Sequence, residues 1–441
     1  MKRDDFKLSK FNSKKIIELL KNKFLSDKMV RNIAVVSGGT AIGQIANMMF
    51  TPIITRVYSP SEYGILSVFS SILLIFSFSS LKYELAIPIA KKEDESVNIL
   101  SLSILVLSII SLSAGLIVTF FGEQVLNLLN AESLFPYRFF IPIGIFFQGL
   151  YLIFNQWMFR IKNFKIISKT RVTQNLIGNV IKVILGLLSF GGIGLIIGRI
   201  VSVSAGTLSF YKKFTNRKKG DVKVEWRKIK NLAIKYRDFP MFQATSTGVV
   251  HFRNQFPVLF LAPLFGTQIV GLYGLANTIV KIPMTLIGQS VMDVFFAEIA
   301  SIGKEDPKKI KKLSNNLFKK LVLVGSLPML VLLLVGPTLF SLAFGAEWVE
   351  AGVYARILSI SILANLIFSP ISKVFEVFRR QAAKFIIDAS SLIIIASVFL
   401  SANIFNWNAE ITILLYSISM ALVYFTTYLT AQSILNKEIK K

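Results

Sequence analysis

The chain contains no cysteine and only one histidine, His251, among its 441 residues. Without cysteine the chain can form neither disulfide bonds nor thiolate metal sites, and one histidine does not supply a zinc site. Charged residues are also scarce, at 17% of the chain, whereas 53% of the residues are hydrophobic and the mean hydropathy is +0.62. This composition lies outside the range of soluble globular domains. We therefore predict a membrane protein that holds no metal and no cofactor.

Long uncharged stretches indicate how the chain crosses the membrane. Residues 99–121 and 321–344 carry no charge, and each is long enough to cross about 30 Å of hydrocarbon as a helix. The strict alternation of apolar and polar residues that membrane strands require is absent. We predict an all-α polytopic membrane protein with about twelve transmembrane helices. The predicted spans lie near residues 32–55, 64–81, 97–121, 139–158, 172–190, 192–211, 240–262, 268–292, 321–342, 357–375, 385–402 and 410–434.

The distribution of basic residues predicts the orientation. If the N-terminus lies in the cytoplasm, 42 of the 50 Lys and Arg residues fall on the cytoplasmic side and three on the external side. This asymmetry is typical of the positive-inside rule, so both termini are predicted to be cytoplasmic. The net charge of +26 therefore reflects orientation. No segment outside the spans is large enough for a nucleic-acid-binding domain, so nucleic acid is not an expected partner.

The longest cytoplasmic loop divides the chain into two halves. We predict a six-helix lobe at 32–211, a basic linker at 212–239, a second six-helix lobe at 240–434 and a cytoplasmic tail at 435–441. Residues 1–31 are basic and are predicted to form an amphipathic helix on anionic membrane lipids, with a disordered basic tail as the alternative. Each half contains a span with an internal proline, a short external turn and a glycine near the start of the next span. Such parallel repeats predict a binding site between the lobes, with spans one, two, seven and eight lining a central cavity.

Four sequence segments carry a resemblance to a known family. They read Thr51-Pro-Ile-Ile-Thr-Arg-Val-Tyr-Ser-Pro-Ser-Glu-Tyr-Gly64, Leu81-Lys-Tyr-Glu-Leu-Ala-Ile-Pro-Ile-Ala90, Phe344-Gly-Ala-Glu-Trp-Val-Glu-Ala-Gly352 and Ser369-Pro-Ile-Ser-Lys-Val-Phe-Glu376. In this order the chain resembles the Wzx-type polysaccharide-lipid flippases of the multidrug/oligosaccharidyl-lipid/polysaccharide exporter superfamily. The resemblance implies a two-lobed helical transporter in the bacterial cytoplasmic membrane that opens alternately to each side. Its implied cargo is an undecaprenyl-pyrophosphate-linked sugar repeat unit, and other polysaccharide-assembly membrane proteins are further expected partners.

Five basic residues lie within the predicted spans. A basic side chain at the bilayer centre costs about 2.5–3.5 kcal/mol, so five facing lipid would cost roughly 12–17 kcal/mol. These residues should therefore face an interior that suits an anion such as pyrophosphate. Lys182, Arg253 and Lys281 are predicted to hold that anion together, because they lie deep and have no acidic neighbour within their own span. The weaker candidates are two residues nearer the external side and two from a polar stripe on span one: Arg199, Arg56, Asn47 and Gln44.

Other roles for these charged residues stay open. Arg199 could snorkel toward the external interface, and Lys373 could simply pair with Glu376. Asp388 is expected at a cytoplasmic helix end in a solvated or loop-pairing role, and Lys82 and Glu84 are expected to pair with headgroups or loop charges.

Three functions compete with a flippase. A cation-coupled multidrug exporter of the same superfamily normally needs intramembrane carboxylates, and the sequence places none near a span centre. An enzyme would need a sizeable extramembrane site, which the short external loops do not provide. A scaffold without transport would leave the buried cations unexplained.

Overall fold

The computed structural model describes residues 28–128, 132–216 and 224–440, and these residues contain helices and no β-strand. The first lobe consists of α1 Lys28–Val57, α2 Pro60–Ile75, α3 Glu93–Leu128, α4 Phe140–Arg160, α5 Phe164–Leu187, α6 Gly192–Ser204 and α7 Thr207–Thr215. A connecting helix, α8, spans Trp226–Lys235. The second lobe consists of α9 Thr245–Pro283, α10 Gln289–Ile302, α11 Pro307–Phe344, α12 Val349–Phe368, α13 Val374–Val377, α14 Gln381–Ile404 and α15 Ala409–Lys440.

Local signals in the sequence fix several helix starts. Ser59 caps α2 in a capping box with Glu62, and Pro60 occupies the first turn, where its missing N–H costs nothing. Asp306 caps α11 by accepting a hydrogen bond from the backbone N–H of Lys309 at 2.9 Å. These caps satisfy N–H groups that the first turn of a helix leaves without partners.

The prediction of an all-α multi-pass membrane protein is confirmed. Within the described residues, nine helical segments are long and apolar enough to cross a membrane. One of them, the 64-residue segment Phe239–Ile302, contains two predicted spans, which meet at Gly266, where φ is +81°. The helices α1 and α5 coincide with the remaining two predicted spans but carry polar stripes that lower their hydropathy. The predicted amphipathic segment 1–31 lies outside the described residues, apart from the start of α1.

Each lobe has its own set of helix contacts. In the first lobe α1 packs against α5, α5 against α6, and α3 against α4; in the second, α12 packs against both α11 and α15. The lobes meet along a seam in which α2 lies against α9. The backbones approach most closely at Gly64 and Gly271, since a Cβ at either position would lie 1.8 Å from a backbone oxygen of the other lobe. Only glycine permits this approach.

The predicted linker is not a free tether. Its helix α8 lies on α3, where Lys228 pairs with Asp94 at 3.1 Å and Lys235 pairs with Glu95. The buried side chain of Ile229 packs in a cluster with Leu102 of α3. The connection between the lobes is therefore anchored to the first lobe.

Candidate functional site: cationic groups inside each lobe

A polar chain of side chains joins α1 and α5 inside the first lobe. The Nζ atom of Lys182 donates to Oδ1 of Asn179 at 3.3 Å, and Nδ2 of Asn179 donates to Oδ1 of Asn47 at 3.1 Å. Asn179 is buried. The polar stripe on span one therefore faces polar side chains of α5, and Lys182 lies in the interior of its lobe.

Arg199 of α6 lies within electrostatic range of Lys182, so the first lobe holds two neighbouring cations. Gly198 makes room for this arrangement, because a Cβ there would lie 2.3 Å from Cγ of Lys182 and 3.0 Å from the backbone oxygen of Gly178. The Nε atom of Arg199 is buried without a hydrogen-bond partner. In the described part of the chain, neither cation forms an ion pair with a carboxylate. The first lobe thus carries local positive charge in its interior.

The second-lobe cation Arg253 does have a carboxylate partner. Its NH1 atom lies 3.0 Å from Oδ1 of Asp388, which also accepts a hydrogen bond from Lys384 at 2.5 Å. The carboxylate comes from another span, so Arg253 is paired although it has no acidic neighbour within its own span. The expectation of a solvated or loop-pairing Asp388 at a helix end is wrong. Asp388 lies about two turns into α14, on a face that meets α9. The sequence did not reveal the pair because its members are 135 residues apart.

Lys281 and Arg253 line one cavity of about 240 Å³ inside the second lobe. Its other polar lining residues come from α9, α12 and α15: Asn254, Gln255, Asn277, Ser361, Asn365, Tyr416 and Tyr424. A neighbouring cavity of about 210 Å³ shares Arg253, Asn254 and Asn365 with it and extends to Lys384 and Asp388. We call these two adjoining spaces the polar cavity.

The structure therefore divides the predicted site residues into groups. Lys182 and Asn47 belong to the first-lobe group together with Arg199, whereas Arg253 and Lys281 line the polar cavity of the second lobe. The three cations that were expected to act together therefore lie in two separate groups, because the polar faces of α1 and α5 turn toward each other inside the first lobe. Gln44 is half-buried one turn before Asn47, and Arg56 is exposed at the end of α1.

Two contacts connect these groups across the seam. Tyr63 of α2 lies near Arg199 and near Thr278, which is one turn before Lys281. Further along the same helix, the Oγ of Ser71 donates to Oε1 of Gln255, which lines the polar cavity, at 2.9 Å. A movement of α2 against α9 would therefore disturb the surroundings of both cationic groups.

Sequence reasoning missed two residues that the structure singles out. Trp348 is buried, donates from Nε1 to the backbone oxygen of Thr55 at 2.9 Å, and packs edge-to-face on Tyr63 with ring centroids 5.5 Å apart. It thereby ties the second lobe to the first at one end of the seam. Glu84, expected to pair with headgroups or loop charges, is 2% exposed, lies 3.7 Å from Nζ of Lys82 and accepts a hydrogen bond from Ser80 at 2.5 Å. Both residues lie within resemblance segments, Trp348 in 344–352 and Glu84 in 81–90, and this was the signal that the sequence offered.

Comparison with known proteins gives the family and the fold. Residues 53–353 match the profile of the family described as polysaccharide biosynthesis protein. A comparison with curated protein sequences found no match.

Solved structures share the arrangement of the whole chain. A multidrug resistance MATE family transporter of the MOP superfamily, in an inward-facing conformation, is 12% identical with a TM-score of 0.70 over 92% of this chain and 99% of that one. A MOP superfamily transporter from Pyrococcus furiosus is 11% identical with a TM-score of 0.56 over 93% and 96%. The Vibrio cholerae MATE transporter VcmN in its bent form is 14% identical with a TM-score of 0.54 over 92% and 97%. At these identities the likeness shows the fold, which is that of MOP superfamily transporters.

Proposed function

The chain belongs to the polysaccharide biosynthesis protein family, and from that membership we propose that it is a flippase for anionic lipid-linked oligosaccharides. The proposed cargo is a sugar repeat unit joined through pyrophosphate to undecaprenol, and it crosses the bacterial cytoplasmic membrane for assembly into a surface polysaccharide of the O-antigen or capsule type. A fold shared with MOP superfamily transporters supports this proposal. The two lobes and the seam between α2 and α9 suit alternating access.

The observation that carries the proposal is the excess of interior positive charge. In the described residues, Lys182, Arg199 and Lys281 form no ion pair with a carboxylate, although each lies inside a lobe. A buried cation without a counter-charge is costly unless a ligand or water compensates it. A pyrophosphate supplies that compensation, because lysine and arginine bind phosphate oxygens by charge and by hydrogen bonds.

One observation favours the rival function, a cation-coupled multidrug exporter. The polar cavity contains a carboxylate, Asp388, of the kind that binds cations in such transporters. However, Asp388 already contacts Arg253 and Lys384, so this group of three side chains keeps a net positive charge. Cation binding would require both contacts to break, which makes anion transport the better explanation.

Neutralising single cations tests the proposal. We expect Lys182→Gln and Lys281→Gln each to lower surface-glycan export in a strain that lacks the chromosomal gene. A lost hydrogen bond to a charged group weakens binding by about 1.5–3 kcal/mol, or roughly 10- to 150-fold. Surface glycan is measured by immunoblot and normalised to the amount of protein in the membrane fraction.

Lys373→Gln is the matched control, because Lys373 already pairs with Glu376 near the end of its span. That variant should export glycan normally. Normal export by both Lys182→Gln and Lys281→Gln would contradict the proposal. Loss of drug resistance with unchanged glycan would instead favour the exporter.

A further inference from the structure

An apolar groove of about 640 Å³ lies beside the polar cavity, where α1 of the first lobe meets α11 of the second. Its walls come from α9, α11 and α12 of the second lobe, and Met48 of α1 contributes from the first lobe. Apart from Ser359, each lining residue is apolar or glycine, and the Ser359 hydroxyl is occupied by a hydrogen bond to the backbone oxygen of Arg356 at 2.6 Å. The lining of the groove is therefore almost entirely apolar.

The groove is open on its outer side and closed at its floor. The rim residues Met48 and Leu327 are 50% and 68% exposed, whereas the floor residues Val280 and Leu366 are 7% and 5% exposed. On α11 the lining runs from Val324 to Leu332, near the middle of this 38-residue helix. A helix of that length places its middle in the hydrocarbon region of the bilayer. The groove is thus accessible to a hydrocarbon chain that approaches from the bilayer.

Two helices separate the groove from the polar cavity and present one face to each. On α9, Lys281 lines the cavity while the adjacent residues Val280 and Ile282 line the groove. On α12, Asn365 lines the cavity while Leu366 lines the groove. Ile362 lines both spaces, so a single side chain separates them at that point.

We propose that this groove binds the hydrocarbon chain of an anionic polyprenyl lipid whose diphosphate occupies the polar cavity at Lys281. The arrangement matches such a molecule at both ends. Lys281 offers a cation to the diphosphate head, and the groove offers an apolar surface to the hydrocarbon tail. At one point only the side chain of Ile362 separates the two spaces. A detergent-like drug or a soluble sugar phosphate would use only one of the two spaces. The inference rests on the proposed function, because it names where the lipid part of that cargo lies.

Photolabelling tests the inference on the purified full-length protein in phosphatidylglycerol-containing nanodiscs. The probe is a polyprenyl diphosphate with a diazirine in its hydrocarbon chain, and the comparator is a phosphatidylglycerol with the same diazirine in one acyl chain. Labelled peptides are mapped by mass spectrometry. We expect the polyprenyl probe to label residues 324–332 and 359–366 at least about fivefold more than the comparator does, and Lys281→Gln to reduce only the labelling by the polyprenyl probe.

The possible failures are distinguishable. Equal labelling of the groove by both probes would overturn the inference, because the groove would then be an ordinary lipid contact. Preferential labelling by the polyprenyl probe elsewhere in the protein would overturn the groove assignment and leave the proposed function standing. An absence of preferential labelling anywhere would count against the proposed function itself.

A pair of variants on α11 extends the test to transport. Leu327 lines the groove, whereas Leu323 lies one turn earlier, is 75% exposed and does not line it. Leu327→Trp should therefore obstruct the groove and lower glycan export severalfold, while Leu323→Trp leaves export unchanged. Equal export by the two variants at equal abundance would overturn the assignment of the groove.

Discussion

At the scale of single residues, the contact between Arg253 and Asp388 can be tested through the stability of the protein, without a transport measurement. Asp388→Asn should destabilise the protein by about 1.5–3 kcal/mol, because it leaves the partly buried guanidinium of Arg253 without its counter-charge. Arg253→Gln should cost less, since Lys384 still contacts Asp388 at 2.5 Å. The double variant should cost less than the sum of the single variants. Melting temperatures of the purified proteins in detergent measure these differences, and strictly additive losses would show that the two residues are not coupled.

Gly198 positions Lys182 without carrying any charge. Gly198→Ala should push Lys182 aside, because the added Cβ would lie 2.3 Å from Cγ of Lys182. We expect glycan export to fall at least about fivefold, equivalent to roughly 1 kcal/mol, although no charge is lost. Gly38→Ala is the control, since a Cβ there meets nothing within 4 Å. Glycan export by Gly38→Ala should equal that of the unmodified protein. Equally normal export by Gly198→Ala would contradict the prediction and show that Lys182 has room to move.

At the scale of elements, the helix α8 is held on α3 by charge. Burial by itself would raise the pKa of Glu95, but hydrogen bonds from Lys235 and Tyr236 outweigh it, so the pKa of Glu95 is lowered. A lowered carboxyl pKa gives stability that is present above the unfolded-state pKa and lost as the pH falls through the folded-state pKa. The docking of α8 on α3 should therefore weaken only at acidic pH values below the ordinary pKa of a glutamate side chain.

Hydrogen exchange in α8 measures this docking near neutral pH. Glu95→Gln and Lys235→Gln should each speed exchange of the α8 amides severalfold, since each removes a charged contact that holds α8 on α3. Glu123→Gln, on an exposed part of the same α3 helix, should leave exchange in α8 unchanged. Unchanged exchange in all three variants would mean that the apolar contact of Ile229 alone holds α8 in place.

At the scale of the whole molecule, the two ends of the membrane-spanning helix α3 contact different helices, which provides a test of the orientation. Its N-terminal end contacts α8, and its C-terminal end contacts the short helix Glu132–Tyr137. The positive-inside rule predicts that α8 is cytoplasmic. Because the chain has no cysteine, single variants Glu132→Cys and Lys230→Cys can be tested directly, and both positions are exposed. An impermeant maleimide should label intact cells at 132 and not at 230. The reverse pattern would invert the predicted orientation.

The sequence by itself determined the class of the protein and the positions of its spans. An apolar run of about 20 residues can cross a membrane only as a helix, and this is a local property that no distant residue alters. At α1 and α5, where polar stripes lower the hydropathy, the helices coincide with two predicted spans, and their crossing of the membrane stays a prediction. The caps at Ser59 and Asp306 are likewise local.

Only the tertiary structure decided which charges meet. Asp388 neutralises Arg253 from 135 residues away, and Trp348 joins Thr55 across 293 residues. The helical period gives the face on which a side chain lies, but not which neighbouring helix that face meets. The polar stripe on α1 was therefore interpreted as lining a central cavity with spans two, seven and eight, whereas packing turns it toward α5 inside the first lobe. For the same reason, the apolar groove beside Lys281 could not be read from α11 or α12 alone, since its walls exist only where four helices come together.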